Sequence, residues 1–270
     1  MTPQERWLEY LRVERGRSTN TITTYARTLR TLPDNPLSMS HADVEDWWRS
    51  RARDTDGNER PHSSRNNELS AVRMFFKWCV RYEMRDDDPT SRIDQLREQK
   101  RESRFIGHQD LEHLLGHLAP DMRRALALGV YAGMRVSEVA RLNWDDINMD
   151  LRRISVTGKG DKQRLVGLST RLLDILLPVV PGGNVVTASK EEYTGHYLSI
   201  KVNKAMQRNG LSRGLTFHSA RHRYGYMAAA SGVPITSIAR SMGHESISVT
   251  QRYIAAVSSD LDLIAEAVAR

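Results

Sequence analysis

The run Asp86-Asp87-Asp88-Pro89 cuts the chain into two stretches that no single hydrophobic pattern can describe. Before it, apolar residues recur at helical spacing only. Thr2 can cap a helix that opens at Pro3, with Trp7, Leu8 and Leu11 on one stripe. Ser18 is a suitable N-cap for a second, in which Ile22, Tyr25, Ala26 and Leu29 recur, and Pro33 and Pro36 end it. Ser40 opens a third, carrying Val44, Trp47 and Trp48. Residues 54–59 are polar and read as a loop. A fourth helix runs from about Ser64 to Met84, its broad apolar face made by Leu69, Val72, Met74, Phe75, Phe76 and Trp78. Cys79 lies in this face and reads as core filler.

After the break, residues 91–104 hold Arg92, Arg97, Lys100, Arg101 and Arg104 with few large apolar residues. Two readings fit: a solvated charged tether, or an interdomain linker that crosses a phosphate backbone. From Phe105 the pattern is mixed. Helices are predicted at 108–118, 120–132 and 136–142. Ile154-Ser155-Val156 and Arg164-Leu165-Val166 then alternate around Gly158-Lys159-Gly160-Asp161, the signature of a β-hairpin. Further helices are predicted at about 169–177, 195–209, 217–231, 234–242, 246–255 and 258–269. The expected fold is mainly α with a small β-sheet, an α+β class. Its parts are a helical domain at 1–90, a basic linker at 91–104 and a mixed domain at 105–270.

A length of 270 residues suffices for two modest domains, and 39% hydrophobic with 27% charged residues is ordinary for a soluble globular protein. The formal charge of +7 favours a polyanionic partner, because a basic groove gains free energy by releasing condensed counterions. Arginine outnumbers lysine, which suits bidentate phosphate contacts; a biased genomic base composition would produce the same excess. The single cysteine excludes an intrachain disulfide and fits a reducing compartment. No apolar run is long enough to span a bilayer, and the N-terminus lacks the layout of a signal peptide. A cytoplasmic protein is expected.

Chemistry concentrates in the second stretch. Arg135 follows Gly133 at a helix junction, where backbone N–H groups also favour an anion, and Glu138 can face it across a turn. Lys159 stands at the hairpin tip between two glycines, with Lys162 a second candidate at the strand edge. His218 and Arg221 are one turn apart on one helix face, while the adjacent His222 is expected to turn into packing or a hydrogen bond. His244 follows Met242-Gly243 at a helix end, and Tyr253 lies nine positions later. Each has a plain structural alternative: a surface ion pair, a solvated turn lysine, a packed histidine, a helix cap, a core aromatic. As a set, the cations can hold a phosphodiester while the phenol attacks it. The glycines flanking Lys159 are not a Walker loop, and no carboxylate cluster suited to Mg²⁺ is visible.

Arg135, Lys159, His218-x-x-Arg221, Gly243-His244 and Tyr253, in this order and at about these intervals, resemble the signature of the tyrosine recombinase family, also called the phage integrase family. Residues 131–142 with Trp144 are similar to that family's first-arginine box, and the helical N-terminal part resembles its core-binding domain. The resemblance covers essentially the whole chain. Met242 and Ala220 stand where the family often has leucine, both apolar exchanges.

The resemblance implies the DNA breaking-rejoining fold and a metal-independent transesterification that needs no cofactor. Arg135 and Arg221 would grip the non-bridging oxygens, with Glu138 supporting, and Tyr253 would form a 3′-phosphotyrosyl link. Lys159 would protonate the departing 5′-oxygen. His218 would accept the tyrosine proton and His244 would donate a hydrogen bond to phosphate. Double-stranded core sites are the implied DNA partner, engaged by a tetramer that is monomeric in free solution, with room for a directionality factor. The chain opens at the core-binding bundle, so no arm-site-binding domain is expected. A last helix bearing Leu261, Ile264, Ala265 and Val268 could dock on a neighbouring subunit or on its own domain. A phage or prophage integrase is the leading reading. A Xer-type recombinase is the nearest alternative, and a DNA-binding protein without catalysis is the alternative of a different class.

Overall fold

The computed structural model describes residues 1–97, 104–158, 162–177, 182–188, 191–244, 246–247, 249–251 and 253. Contacts divide the chain into two units, Met1–Lys100 and Arg101–Arg270.

The first unit is built from α1 (Pro3–Val13), α2 (Thr19–Leu29), α3 (His41–Ser50) and α4 (His62–Arg81). Local chemistry sets where they begin. Thr2 Oγ1 accepts from the Glu5 N–H at 3.2 Å while Glu5 Oε2 accepts from the Thr2 N–H at 2.7 Å, and Ser40 with Asp43 repeats the arrangement. Their apolar stripes meet in one core holding Trp7, Leu29, Val44, Trp47, Leu69, Phe75 and Phe76. Helix α4 begins two residues before the expected Ser64, directly after Pro61, whose ring pre-sets φ. It ends at Arg81 instead of Met84, because Glu83 adopts a left-handed φ of 55° that breaks the helix.

The basic segment differs from a solvated tether over its first half. Asn66 on α4 brackets Leu96, accepting from its N–H and donating to its carbonyl, both at 2.9 Å. The Arg73 guanidinium donates to the Ile93 carbonyl, and the Ile93 side chain is buried in the helical core. Residues 91–97 are thus held against α4, and residues 98–103 lie outside the described residues. Two apolar side chains among many charges were enough to dock the segment.

Glu68 locks α4 to the loop beyond α3. Arg51 reaches its two oxygens at 3.0 and 3.1 Å, and Arg60 at 2.9 and 2.8 Å. Burial alone would push this carboxyl up, but the two guanidiniums pull it from 4.5 to about 2. A depressed folded-state value stabilises above the unfolded value, and that stability disappears as pH falls from about 4.5 towards about 2. Glu68→Gln is therefore expected to cost about 2–3 kcal/mol at pH 7 and to flatten the acid limb of stability. Denaturant unfolding at pH 7 and pH 3 checks this through tryptophan fluorescence, since Trp7, Trp47, Trp48 and Trp78 all lie in this unit.

The second unit opens with α5 (His108–His117), α6 (Pro120–Ala132) and the short α7 (Val136–Val139). Strands β1 (Ile147–Asn148), β2 (Arg153–Thr157) and β3 (Gln163–Gly167) follow, pairing antiparallel in the order β1-β2-β3. The hairpin register sets Ile154 against Val166 and Val156 against Arg164. Next come α8 (Thr170–Leu176), a small pair β4 (Thr187–Ala188) and β5 (Glu191–Glu192), then α9 (Gly195–Arg208), α10 (Phe217–Ala230) and α11 (Ile235–Met242). Helix α6 is the apolar centre, with Ala125, Leu126, Leu128 and Val130 all buried. At Gly129 an added Cβ would lie 2.9 Å from the Phe217 ring, so the glycine allows α10 to approach α6 closely.

This is the helix-rich α+β architecture read from the hydrophobic pattern, with two differences. Helix α7 stops at Val139 rather than 142, because the Leu142 carbonyl accepts from Val185 and the Trp144 N–H donates to Gly183. The backbone there is drawn into pairing with a distant loop. Strand β1 and the β4–β5 pair are too short to carry a period-2 signal. Of the helix expected at 246–255, residues 247, 249–251 and 253 are helical, whereas 258–269 lies outside the described residues. No described helix is long and apolar enough to cross a membrane.

Candidate functional site

Helix α6 ends at Gly133 with φ 61°, and the Tyr224 ring fills the space a Cβ would need, 2.6 Å away. Glycine is required here on both counts. The turn it makes sets Arg135 at the start of α7. The Arg135 N–H donates to Glu138 Oε2 at 2.7 Å and its guanidinium to Glu138 Oε1 at 2.9 Å. Its side chain is 40% exposed, so the cation is tethered from behind and open in front.

Helix α11 also ends on a left-handed glycine, Gly243, with φ 64°. The last carbonyls of a helix lack intrahelical partners and form the negative end of its dipole. Here three consecutive carbonyls are each taken by a different guanidinium. Arg164 Nε donates to Ser241 O at 2.7 Å, Arg221 Nη2 to Met242 O at 2.6 Å, and Arg135 Nη2 to Gly243 O at 2.7 Å. Arg221 also donates to Gly133 O at 2.5 Å, joining the ends of α6 and α11.

Glu138, 2% exposed, is the anion these cations share. Arg164 binds it through both oxygens at 2.9 and 2.8 Å, Arg135 at 2.9 Å, and Arg221 stands at 4.0 Å. Burial acts to raise its carboxyl, but the Arg164 and Arg135 hydrogen bonds and the Arg164 charge outweigh that and hold it below its ordinary range. Arg221, 1% exposed, is pulled down to about 10, by burial first and then by the charge of Arg135. It is still a cation at neutral pH. Three guanidiniums around one carboxylate leave net positive charge, and the open side of Arg135 directs it outward.

Three histidines and the tyrosine sit beside this cluster. His218 is exposed on α10, and His222, one turn on, meets it with ring centroids 4.3 Å apart. Nδ1 of His222 is 2.9 Å from the Tyr253 phenol oxygen. The Tyr253 ring is 3% exposed and packs with Ile238 and Met242 of α11. It lies over Gly225, where an added Cβ would be 2.6 Å from Cε2. His244 stacks on the same ring at 6.3 Å and binds Thr250 Oγ1 through Nδ1 at 2.7 Å.

Of the residues singled out by sequence, Arg135, Glu138 and Arg221 form one cluster, and His244 and Tyr253 stack on each other. His218 is exposed, while Arg221, three residues on, is buried. Lys159 lies outside the described residues; the base of its hairpin is closed by the Gly158 N–H donating to Lys162 O at 2.8 Å, with Lys162 exposed. Two participants were missed. Arg164 had a signal: it alternates in phase with the buried Val166, so an arginine stood on the core face of a strand. His222 had one too, standing four residues after His218 on the same helical stripe.

An open guanidinium backed by a buried cation cluster can bind an anion such as a phosphodiester. A phenol whose oxygen already contacts an imidazole is equipped to attack it.

Comparison with known proteins agrees with this chemistry. Residues 104–259 match the Phage integrase family, and residues 5–83 match the Phage integrase, N-terminal SAM-like domain. Tyrosine recombinase XerD of Staphylococcus aureus is 27% identical over 92% of this chain and 92% of its own length. XerD of Staphylococcus epidermidis is 26% identical over the same shares. In fold, the chain resembles a lambda integrase dimer bound to a COC′ core site, with a TM-score of 0.76 and 18% identity over 93% of this chain and 94% of the other. It also resembles the Tn1549 transposon integrase in complex with circular intermediate DNA, with a TM-score of 0.72 and 17% identity over 94% and 95%.

Proposed function

The chain belongs to the phage integrase family, and from that membership we propose that it is a site-specific tyrosine recombinase that integrates or excises DNA through a 3′-phosphotyrosine intermediate. The observation that carries the reading is the Tyr253 phenol, 2.9 Å from an imidazole and beside the cluster that joins Arg135, Glu138 and Arg221. Arg135 and Arg221 hold the non-bridging oxygens and stabilise the charge that grows on them in the transition state. Glu138 keeps both guanidiniums in place. Tyr253 attacks phosphorus, and Lys159 delivers a proton to the leaving 5′-oxygen. His244 donates a hydrogen bond to phosphate, and family resemblance gives the tyrosine proton to His218. Bond energy stays in the covalent link, so rejoining needs no nucleotide.

The partners follow from the same reading. Lambda integrase has been solved as a dimer on a core site and as a tetramer on a Holliday junction. We assign this chain double-stranded core sites and a tetramer on synapsed DNA, a monomeric free state, and action in the bacterial cytoplasm, with a directionality factor as a further partner. On this reading, residues 1–90 grip the core site, 91–104 link the two parts, and 105–270 carry the chemistry. A second reading is favoured by the XerD relatives, which span 92% of both chains: resolution of replicon multimers by the same chemistry.

Incubation with a pool of nicked duplexes carrying candidate attachment and multimer-resolution sites tests the proposal. Covalent adducts are trapped, and the bound DNA is sequenced. The expected product is protein on a 3′ end with a free 5′-hydroxyl. A free 3′-hydroxyl with protein on the 5′ end would refute the chemistry, and the captured sequences decide between the two biological roles.

A further inference from the structure

We infer that His222, not His218, is the group that takes the proton from Tyr253 and returns it on rejoining. The inference rests on the reading of Tyr253 as nucleophile. His222 has a ring nitrogen on the phenol oxygen, at 2.9 Å. His218 is exposed and meets His222 edge-on at 4.3 Å between ring centroids. The contact is built into the fold. His222 and Gly225 stand three residues apart on one face of α10, and the glycine leaves the space in which the ring lies, since a Cβ there would come within 2.6 Å of it. Ile238 and Met242 of α11 close the apolar side of this seat, and His244 stacks on the ring. An apolar wall on one side and an imidazole at the hydroxyl favour transfer to nitrogen over transfer to water.

The step balances with groups already named. Neutral His222 accepts the phenol proton at Nδ1 as the oxygen–phosphorus bond forms. The phosphorus–O5′ bond then breaks, and the 5′-oxygen takes a proton from the acid assigned to Lys159. On rejoining, the 5′-hydroxyl attacks phosphorus and gives its proton to the amine assigned to Lys159, the tyrosine oxygen leaves, and His222 returns its proton to that oxygen. Among the described residues, the titratable groups facing this imidazole include His218 and Tyr253; Arg221 lies on the same helix, and His244 reaches the site through the tyrosine ring.

The test uses the full chain and the nicked duplex captured in the adduct assay. His222→Asn places an amide oxygen near the Nδ1 position, so the phenol keeps an acceptor that cannot hold a proton. His222→Phe removes the acceptor but fills the space. Single-turnover cleavage by the Asn variant is expected to fall roughly 100-fold or more and to lose the rise with pH that deprotonation of His222 gives the native chain, with DNA affinity unchanged. The Phe variant is expected to be at least as slow, and His218→Asn to keep the pH-dependent rise. Native-like rates in the Asn variant, or faster cleavage in the Phe variant as if a latch had been removed, would overturn the assignment. Tyr253→Phe separates the failures: if it still forms adducts, the nucleophile is wrong; if it forms none while His222→Asn is fully active, only the base is wrong.

Discussion

Glu138→Gln is expected to lower the stability of the second unit by about 3–5 kcal/mol, a fall in melting temperature on the order of 10 °C. Glutamine preserves the shape and removes the charge. Arg164, 9% exposed, and Arg221, 1% exposed, then remain buried without the anion between them. Removing one partner of a buried ion pair costs more than the pair itself contributes, because desolvated charge is left behind. The pH dependence adds a second check. Glu138 lies below its ordinary 4.5 in the folded state, so its contribution is present above that value and is lost as pH falls. The glutamine variant should lose that part of the acid sensitivity. Thermal and denaturant unfolding across pH measure both effects, and a variant as stable as the native chain would show that the cluster is not held by Glu138.

Arg221→Met is expected to separate stability from catalysis in the opposite direction. The folded chain keeps this cation at an electrostatic disadvantage, with its guanidinium pulled down to about 10 by burial and by the charges of Arg135 and Arg164. That depression corresponds to a penalty on the order of 3 kcal/mol. Methionine relieves that penalty and fills much of the space, though it leaves Gly133 O and Met242 O without their donor. The two effects offset, so the stability change should stay under about 2 kcal/mol. Cleavage, by contrast, should drop about 100- to 1000-fold through loss of an oxyanion donor. Equilibrium unfolding and single-turnover cleavage on one preparation test this. Unfolding of Arg221→Met, or native cleavage by it, would contradict the account.

The parts of this protein that could be read from its residues are those whose signals are local. Thr2-Pro3 and Ser40 announce helix starts because capping acts within four residues. Gly133 and Gly243 mark the two left-handed helix ends that position Arg135 and His244. The order of Arg135, Lys159, His218, Arg221, His244 and Tyr253 carried the family. What stayed hidden depends on contacts between distant segments. Helix α7 is cut short by pairing with residues 183–185, which nothing in residues 136–142 reveals. The meeting of three guanidiniums with the carbonyls of residues 241–243 exists only once β3, α7, α10 and α11 are assembled. Likewise, Gly225 reads as a weak point in a helix until the Tyr253 ring is seen lying over it.

The most direct measurement digests the trapped protein–DNA adduct and locates the nucleotide-bearing peptide by mass. The account places the 3′-phosphonucleotide on the Tyr253 phenol and predicts that Tyr253→Phe binds the same duplex with no covalent product. An adduct on any other side chain, or one that survives in Tyr253→Phe, would contradict it.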